Sequence, residues 1–161
     1  MNNFIVFQNR DLQALSDFIM AMELSVKASR MRTKFNRMIA DHWNIGVIAE
    51  VDAIILNRAE IGEDGKPIRK SDENNAIKFI SSTHEEEAIH LITELENEEF
   101  YIDLTPSNKD MILSVANSIL NSDLKVSNEV AILVDSWCEQ FENALDYYEA
   151  LNKEFKNIEQ E

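Results

Sequence analysis

Apolar residues along this chain recur mostly at intervals of three and four, the period of amphipathic helices rather than of strands. Leu12, Leu15, Phe18 and Ile19 mark a first helix, capped by Asn9 or Asp11 and reaching to about Leu24. Ser25 caps a second. Along it Ala28, Met31, Phe35, Met38 and His42 keep the spacing, and Ile45, Ile48, Asp52 and Ile55 carry the stripe toward Glu60. Unbroken, this helix is roughly 50 Å long at about 1.5 Å per residue, with Gly46 as the expected bend. Thr83, three residues before Glu86, predicts a capping box for a helix ending near Asn97. Thr105-Pro106 opens another that ends near Asn121, since proline is tolerated in a first turn. Ser127 or Asn128 caps the last, with Val130, Val134, Trp137, Phe141, Leu145, Tyr148 and Phe155 on one side.

Three short runs read as strands instead: "FIVFQ" (4–8), "AIKFI" (76–80) and "FYIDL" (100–104). "GEDGKP" (62–67) is the clearest turn, and the polar stretch 66–76 reads as a mobile loop. The expected fold is mostly α: a single-domain helical bundle with one long helix and a small two- or three-stranded β-sheet. One helical domain is expected over 1–156, with a frayed tail at 157–161, because no linker or repeat divides the chain.

Composition narrows the chemistry. The three glycines, Gly46, Gly62 and Gly65, form no glycine-rich phosphate cradle. No apolar run is long enough to span a bilayer, and residues 1–7 are too short for a secretory leader. The single cysteine, Cys138, rules out an internal disulfide and points to a reducing cytoplasm. The formal net charge of -15 disfavours nucleic acid and anionic membranes as direct ligands and favours basic partners.

Against that charge, residues 25–38, "SVKASRMRTKFNRM", gather five bases and no acid. With Met31 at 0°, Phe35, Met38 and His42 fall within about 40°, which defines the expected buried face. Lys27, Arg30, Lys34 and Arg37 form a strip at about -40° to -120°, beside that face, while Arg32 lies apart near +100°. The strip reads as a structural or assembly feature, its methylene stems lying over the core edge. On the last helix Glu139, Glu142, Asp146 and Glu149 repeat the spacing of that strip, at about 120° to 200° from Trp137. They point outward and are the expected partner-binding face.

"ELSVKASRMRTKF" (23–35), "DGKP" (64–67) and "WCEQFE" (137–142) together resemble a family of small proteins from phages and prophages of Gram-positive bacteria, a domain of unknown function. The likeness runs from about residue 9 to 142 and implies a phage origin and expression in a bacterial cytoplasm. It implies no activity and no catalytic residue.

"THEEEAIH" (83–90) raises zinc binding, which needs two histidines on one helix face. His84 and His90 stand six apart, about 240° round the helix, so Glu86, Glu87 or Glu94 would complete a site with only one of them. No metal or cofactor is assigned. His42 reads as a satisfied core histidine. Cys138, with acids nearby, has no activated thiolate. No nucleophile signature adjoins a histidine, so a catalytic site is not expected. The expected function is a phage-encoded, non-enzymatic binding protein. It would act as a stoichiometric acidic inhibitor of a host nucleic-acid-binding defence protein by charge mimicry, as anti-CRISPR proteins do. The alternative is a virion structural or assembly accessory acting as a homo-oligomer.

Overall fold

The computed structural model describes residues 2–71 and 74–158, with side chains for all of these except 128–129 and 154–158. In chain order the elements are strand β1 (Phe4–Gln8), a 3-10 turn (Asn9–Asp11), α1 (Leu12–Met20) and α2 (Val26–Asp41). A π-helical stretch (His42–Val47), α3 (Ile48–Leu56) and α4 (Ser82–Asn97) follow. Strand β2 (Glu99–Asp103), α5 (Lys109–Leu120) and α6 (Asn128–Ile158) complete the chain. The mostly helical class with a small sheet is the one the periodicity predicts.

The expected single domain over 1–156 is divided into two compact units, residues 1–40 with 99–161 and residues 41–98. One division lies inside a helix and the other at the α4–β2 junction, so neither carries the glycine or proline that marks a linker. Of the expected frayed tail, 159–161 lie outside the described residues, and α6 runs to Ile158.

In the first unit β1 and β2 pair antiparallel, Phe4 opposite Asp103 and Gln8 opposite Glu99. This register turns Ile5, Phe7, Ile102 and Leu104 inward, where all are buried. Val6, on the other edge of β1, donates its N–H to Gln140 Oε1 of α6 at 3.1 Å. Phe7, Phe35 and Phe141 meet at centroid separations of 5.8–6.4 Å and join β1, α2 and α6. Leu12, Leu15, Ile19, Ile112, Val115, Trp137 and Ala144 fill in around them.

The buried face of α2 is rotated from the expected one. Phe35 and Ile39 are buried while Met31 and Met38 are only half-buried, so its centre lies near +60° rather than 0°. The cause is Arg32. Its Nη1 donates to the carbonyl oxygens of Met22 (2.6 Å), Met20 (3.3 Å) and Ile19 (3.5 Å), and its Nη2 donates to Ser29 Oγ at 3.1 Å. These carbonyls belong to the last turn of α1 and the residues after it, which no intrahelical donor reaches. Their satisfaction lets a guanidinium occupy the core edge and ends α1 at Met20, short of the expected Leu24. Lys27, Arg30, Lys34 and Arg37 are then carried to the solvent side, not over the core edge, and all four are exposed. Ser25 Oγ accepts from the Ala28 N–H at 3.4 Å, so this helix starts at its expected cap.

On α6, Tyr148 is 2% exposed and donates its hydroxyl to the Thr105 carbonyl at 2.9 Å. That bond fixes the turn 105–108 before α5, whose first residue is Lys109 rather than the expected Thr105-Pro106. Asn108 supports the same turn by donating Nδ2 to the Asp103 carbonyl at 3.0 Å.

In the 41–98 unit, α3 is followed by an irregular meander. Residues 76–80 do not form a sheet strand but make single bridges, Ile77 to Arg69 and Phe79 to Ala59. Of the polar stretch expected to be a mobile loop, 72–73 lie outside the described residues; on either side of them Ile68 N–H donates to Glu60 O (2.8 Å) and Lys70 N–H to Ala76 O (2.7 Å). The turn "GEDGKP" holds, with Gly65 at φ +76, a conformation that a side chain disfavours. Ser81, not Thr83, caps α4: its Oγ accepts the His84 N–H at 3.3 Å.

Arg32→Ala is expected to cost about 2–3 kcal/mol, seen as a lower urea midpoint at unchanged slope. Arg32→Lys recovers at most about half of it, since an ammonium lacks the planar fork, and exposed Arg30→Ala stays within about 0.5 kcal/mol. The Tyr148 phenol is pushed up to about 12, chiefly by burial and then by Tyr147 beside it. Its folded pKa exceeds the unfolded one, so its contribution is complete below pH 10 and is lost as pH rises from about 10 to about 12. Urea titrations across that range should show a fall of roughly 2–3 kcal/mol. In Tyr148→Phe the curve should flatten, after a loss of about 1 kcal/mol at neutral pH.

Candidate functional site

The acidic face of α6 is built by the same periodicity that builds its buried face. Trp137, Phe141, Ala144 and Tyr148 are buried, and the positions about half a turn away are left to solvent. Glu139, Glu142, Asp146 and Glu149 are all exposed. Asp135 is exposed too and extends the row by one step of four, which gives the spacing 4, 3, 4, 3. Glu149 is the least available of the five. Lys153 Nζ lies 2.8 Å from its carboxylate, and this bond holds the carboxyl below its usual range. Asp146 also feels the Lys153 charge. Asp135, Glu139 and Glu142 form no ion pair among the described residues. Ile132, 76% exposed, falls about 20° from Glu139 on the same wheel and adds one apolar contact point to the face.

Cys138 lies beside this row, half-buried. Burial pushes its thiol up, and Glu142 and Asp135 push it further by disfavouring a thiolate. A nucleophilic role is opposed by all three causes.

The basic strip is brought to no acid. Lys27, Arg30, Lys34 and Arg37 are exposed and form no ion pair among the described residues, whereas Arg32 is the base turned inward. The two histidines of α4 are engaged separately. His84 Nδ1 lies 2.7 Å from Ser81 Oγ at the helix cap, and His90 Nε2 lies 3.5 Å from Glu94 Oε1. Glu87 pairs with Arg58 at 3.4 Å, and Glu86 is exposed. Among the described residues no three His, Cys, Asp or Glu side chains converge as metal ligands. His42 is half-buried at the start of the π-helical stretch. Burial lowers its pKa, against the opposing pull of Glu50 and Glu98. No helix of the described residues is long and apolar enough to cross a membrane. The chain matches no protein-family model, no curated protein and no solved structure.

Native Cys138 should alkylate with iodoacetamide more slowly than the unfolded chain at pH 8, measured by intact mass. Because burial is the larger cause, Asp135→Asn with Glu142→Gln should speed the native reaction only roughly twofold.

Proposed function

We propose that this chain is a binding protein whose working surface is the acidic face of α6, and that it acts as a stoichiometric inhibitor of a basic, nucleic-acid-binding host protein. The observation that carries the reading is the outward row Asp135, Glu139, Glu142, Asp146 and Glu149 on a chain of net charge -15. Over that row one carboxylate recurs about every 5 Å of helix axis, against about 3.4 Å for the phosphates of one DNA strand. A groove that tracks a phosphate backbone with Lys and Arg therefore meets a line of negative charge at comparable spacing. Ile132 adds a desolvated contact that charge alone lacks. A phage origin, implied by the family resemblance, makes a host defence nuclease the natural target of such mimicry.

The second reading, an oligomeric assembly accessory of the phage particle, has one observation in its favour. Lys27, Arg30, Lys34 and Arg37 repeat the spacing of Glu139, Glu142, Asp146 and Glu149, and both rows are exposed. Head-to-tail contact between copies would join them.

Titration calorimetry against basic nucleic-acid-binding host proteins tests the first reading. Binding should be tight at low salt and weaken steeply as the screening length falls. Asp135→Asn, Glu139→Gln, Glu142→Gln and Asp146→Asn together should cost at least about tenfold in affinity and leave stability within about 0.5 kcal/mol. Absence of binding at low salt to every such protein would overturn it.

A further inference from the structure

Strand β1 has β2 on one edge and a side chain on the other. The Leu104 N–H donates to the Asn3 carbonyl at 2.8 Å, so Asn3, Ile5 and Phe7 turn their backbone groups toward β2. Those of Phe4, Val6 and Gln8 therefore point the opposite way. There the Val6 N–H meets Gln140 Oε1 at 3.1 Å. A glutamine amide offers the donor and acceptor of a peptide unit, so Gln140 takes the bond that a third strand would make. A cleft of about 370 Å³ opens at this place, with Val6 and Gln8 on one wall and Ile132, Leu133, Ser136 and Trp137 on the other. Its α6 wall runs into the acidic row. From Trp137, Leu133, Ser136, Ile132 and Glu139 fall at about -40°, -100°, -140° and -160°. Asp11 and Glu99 add negative charge at the cleft, and the one base among its described lining residues, Arg10, lies 3.9 Å from Asp11.

We infer that this cleft takes an extended segment of the target protein as a third strand on β1, a segment in which apolar and basic residues alternate. The inference rests on α6 being the working surface and names how the partner engages it. A strand carbonyl replaces Gln140 Oε1 on the Val6 N–H, and the released amide turns to solvent. Successive side chains of a strand point to opposite faces. One set then lies on Leu133 and Trp137, and the other stands on the side of Val6 and Glu99, beside the acids that bound the cleft. Apolar residues suit the first set and Lys or Arg the second. The β1 strand of a second copy, "FIVFQ", could fill the edge but carries no base and would leave those acids unmet.

Amide NMR of the full chain, titrated at low salt with short capped peptides of Val and Lys, is the test. The alternating peptide should shift the Val6 and Gln8 amides and the Gln140 side-chain amide. The same residues in two blocks should bind at least about tenfold more weakly. N-methylation of one alternate set of residues should cost at least about tenfold and of the other set little, because a strand turns only every second N–H to its neighbour. Ser136→Arg, on the exposed wall, should weaken binding at least about tenfold with unchanged circular dichroism. Gln140→Ala should tighten it about two- to tenfold, since no intramolecular bond is then displaced. If either variant misfolds, the methylated peptides decide on the native chain. Alternating and block peptides that bind alike, with shifts confined to 135–149, overturn the inference and leave the acidic face standing. An alternating peptide that does not bind also overturns it, and binding of a basic host protein then decides the acidic face separately. Val6 and Gln8 amides that shift with protein concentration before any peptide is added assign the edge to a second copy and overturn it too.

Discussion

The last carbonyls of α1 have no donor within their own helix, and the Arg32 guanidinium of α2 supplies one to three carbonyls at that end. Much of the first unit's arrangement follows from this contact. It stops α1 at Met20, sets the rotation of α2 about its axis, and so brings Phe35 rather than Met31 against Phe7 and Phe141. The same rotation carries Lys27, Arg30, Lys34 and Arg37 into solvent. The Arg32 Nε is buried without a partner, an unfavourable contribution of about 1–3 kcal/mol that the other four hydrogen bonds outweigh.

This contact also explains why the buried face of α2 is misplaced in the sequence pattern. Helices α4, α5 and α6 are legible because apolar residues at a 3.6 period leave few alternatives, and α5 and α6 end or begin close to their expected limits. The face of α2 is misplaced because an arginine counts as surface in any wheel, and its carbonyl partners lie ten or more residues away. The 76–80 run has strand composition, but its neighbours are single bridges to Arg69 and Ala59, which local propensity does not encode. The division at 40/41 is invisible because it falls within a helix. Of the acidic face, Glu139, Glu142, Asp146 and Glu149 follow from spacing alone. Asp135 needs only the same spacing carried one step back, and the partner of Glu149 is foreshadowed by Lys153 four residues on.

The two units use hydrophobic burial very differently. The first closes an aromatic centre with β1, α2 and α6, and its charged rows are decoration on a finished core. The second buries only Val47, Ala59, Ala88 and Leu95 among the described residues and adds polar and backbone ties: Lys78 to Glu60 at 2.6 Å, Arg58 to Glu87 at 3.4 Å, and the bridges of the meander. Ion pairs this exposed contribute little individually, so its cohesion should be the more sensitive of the two to solvent conditions.

The sheet has a consequence for the order in which the molecule is made. β1 leaves the ribosome roughly 90 residues ahead of β2, about 5–20 s at about 5–20 residues per second. The Val6 N–H waits longer still, until Gln140 is synthesised. For that interval "FIVFQ" is an apolar strand with both edges bare, while the whole 41–98 segment emerges between it and its mate. The nascent chain is thus most vulnerable to aggregation, or most in need of a chaperone, while β1 waits for its mate.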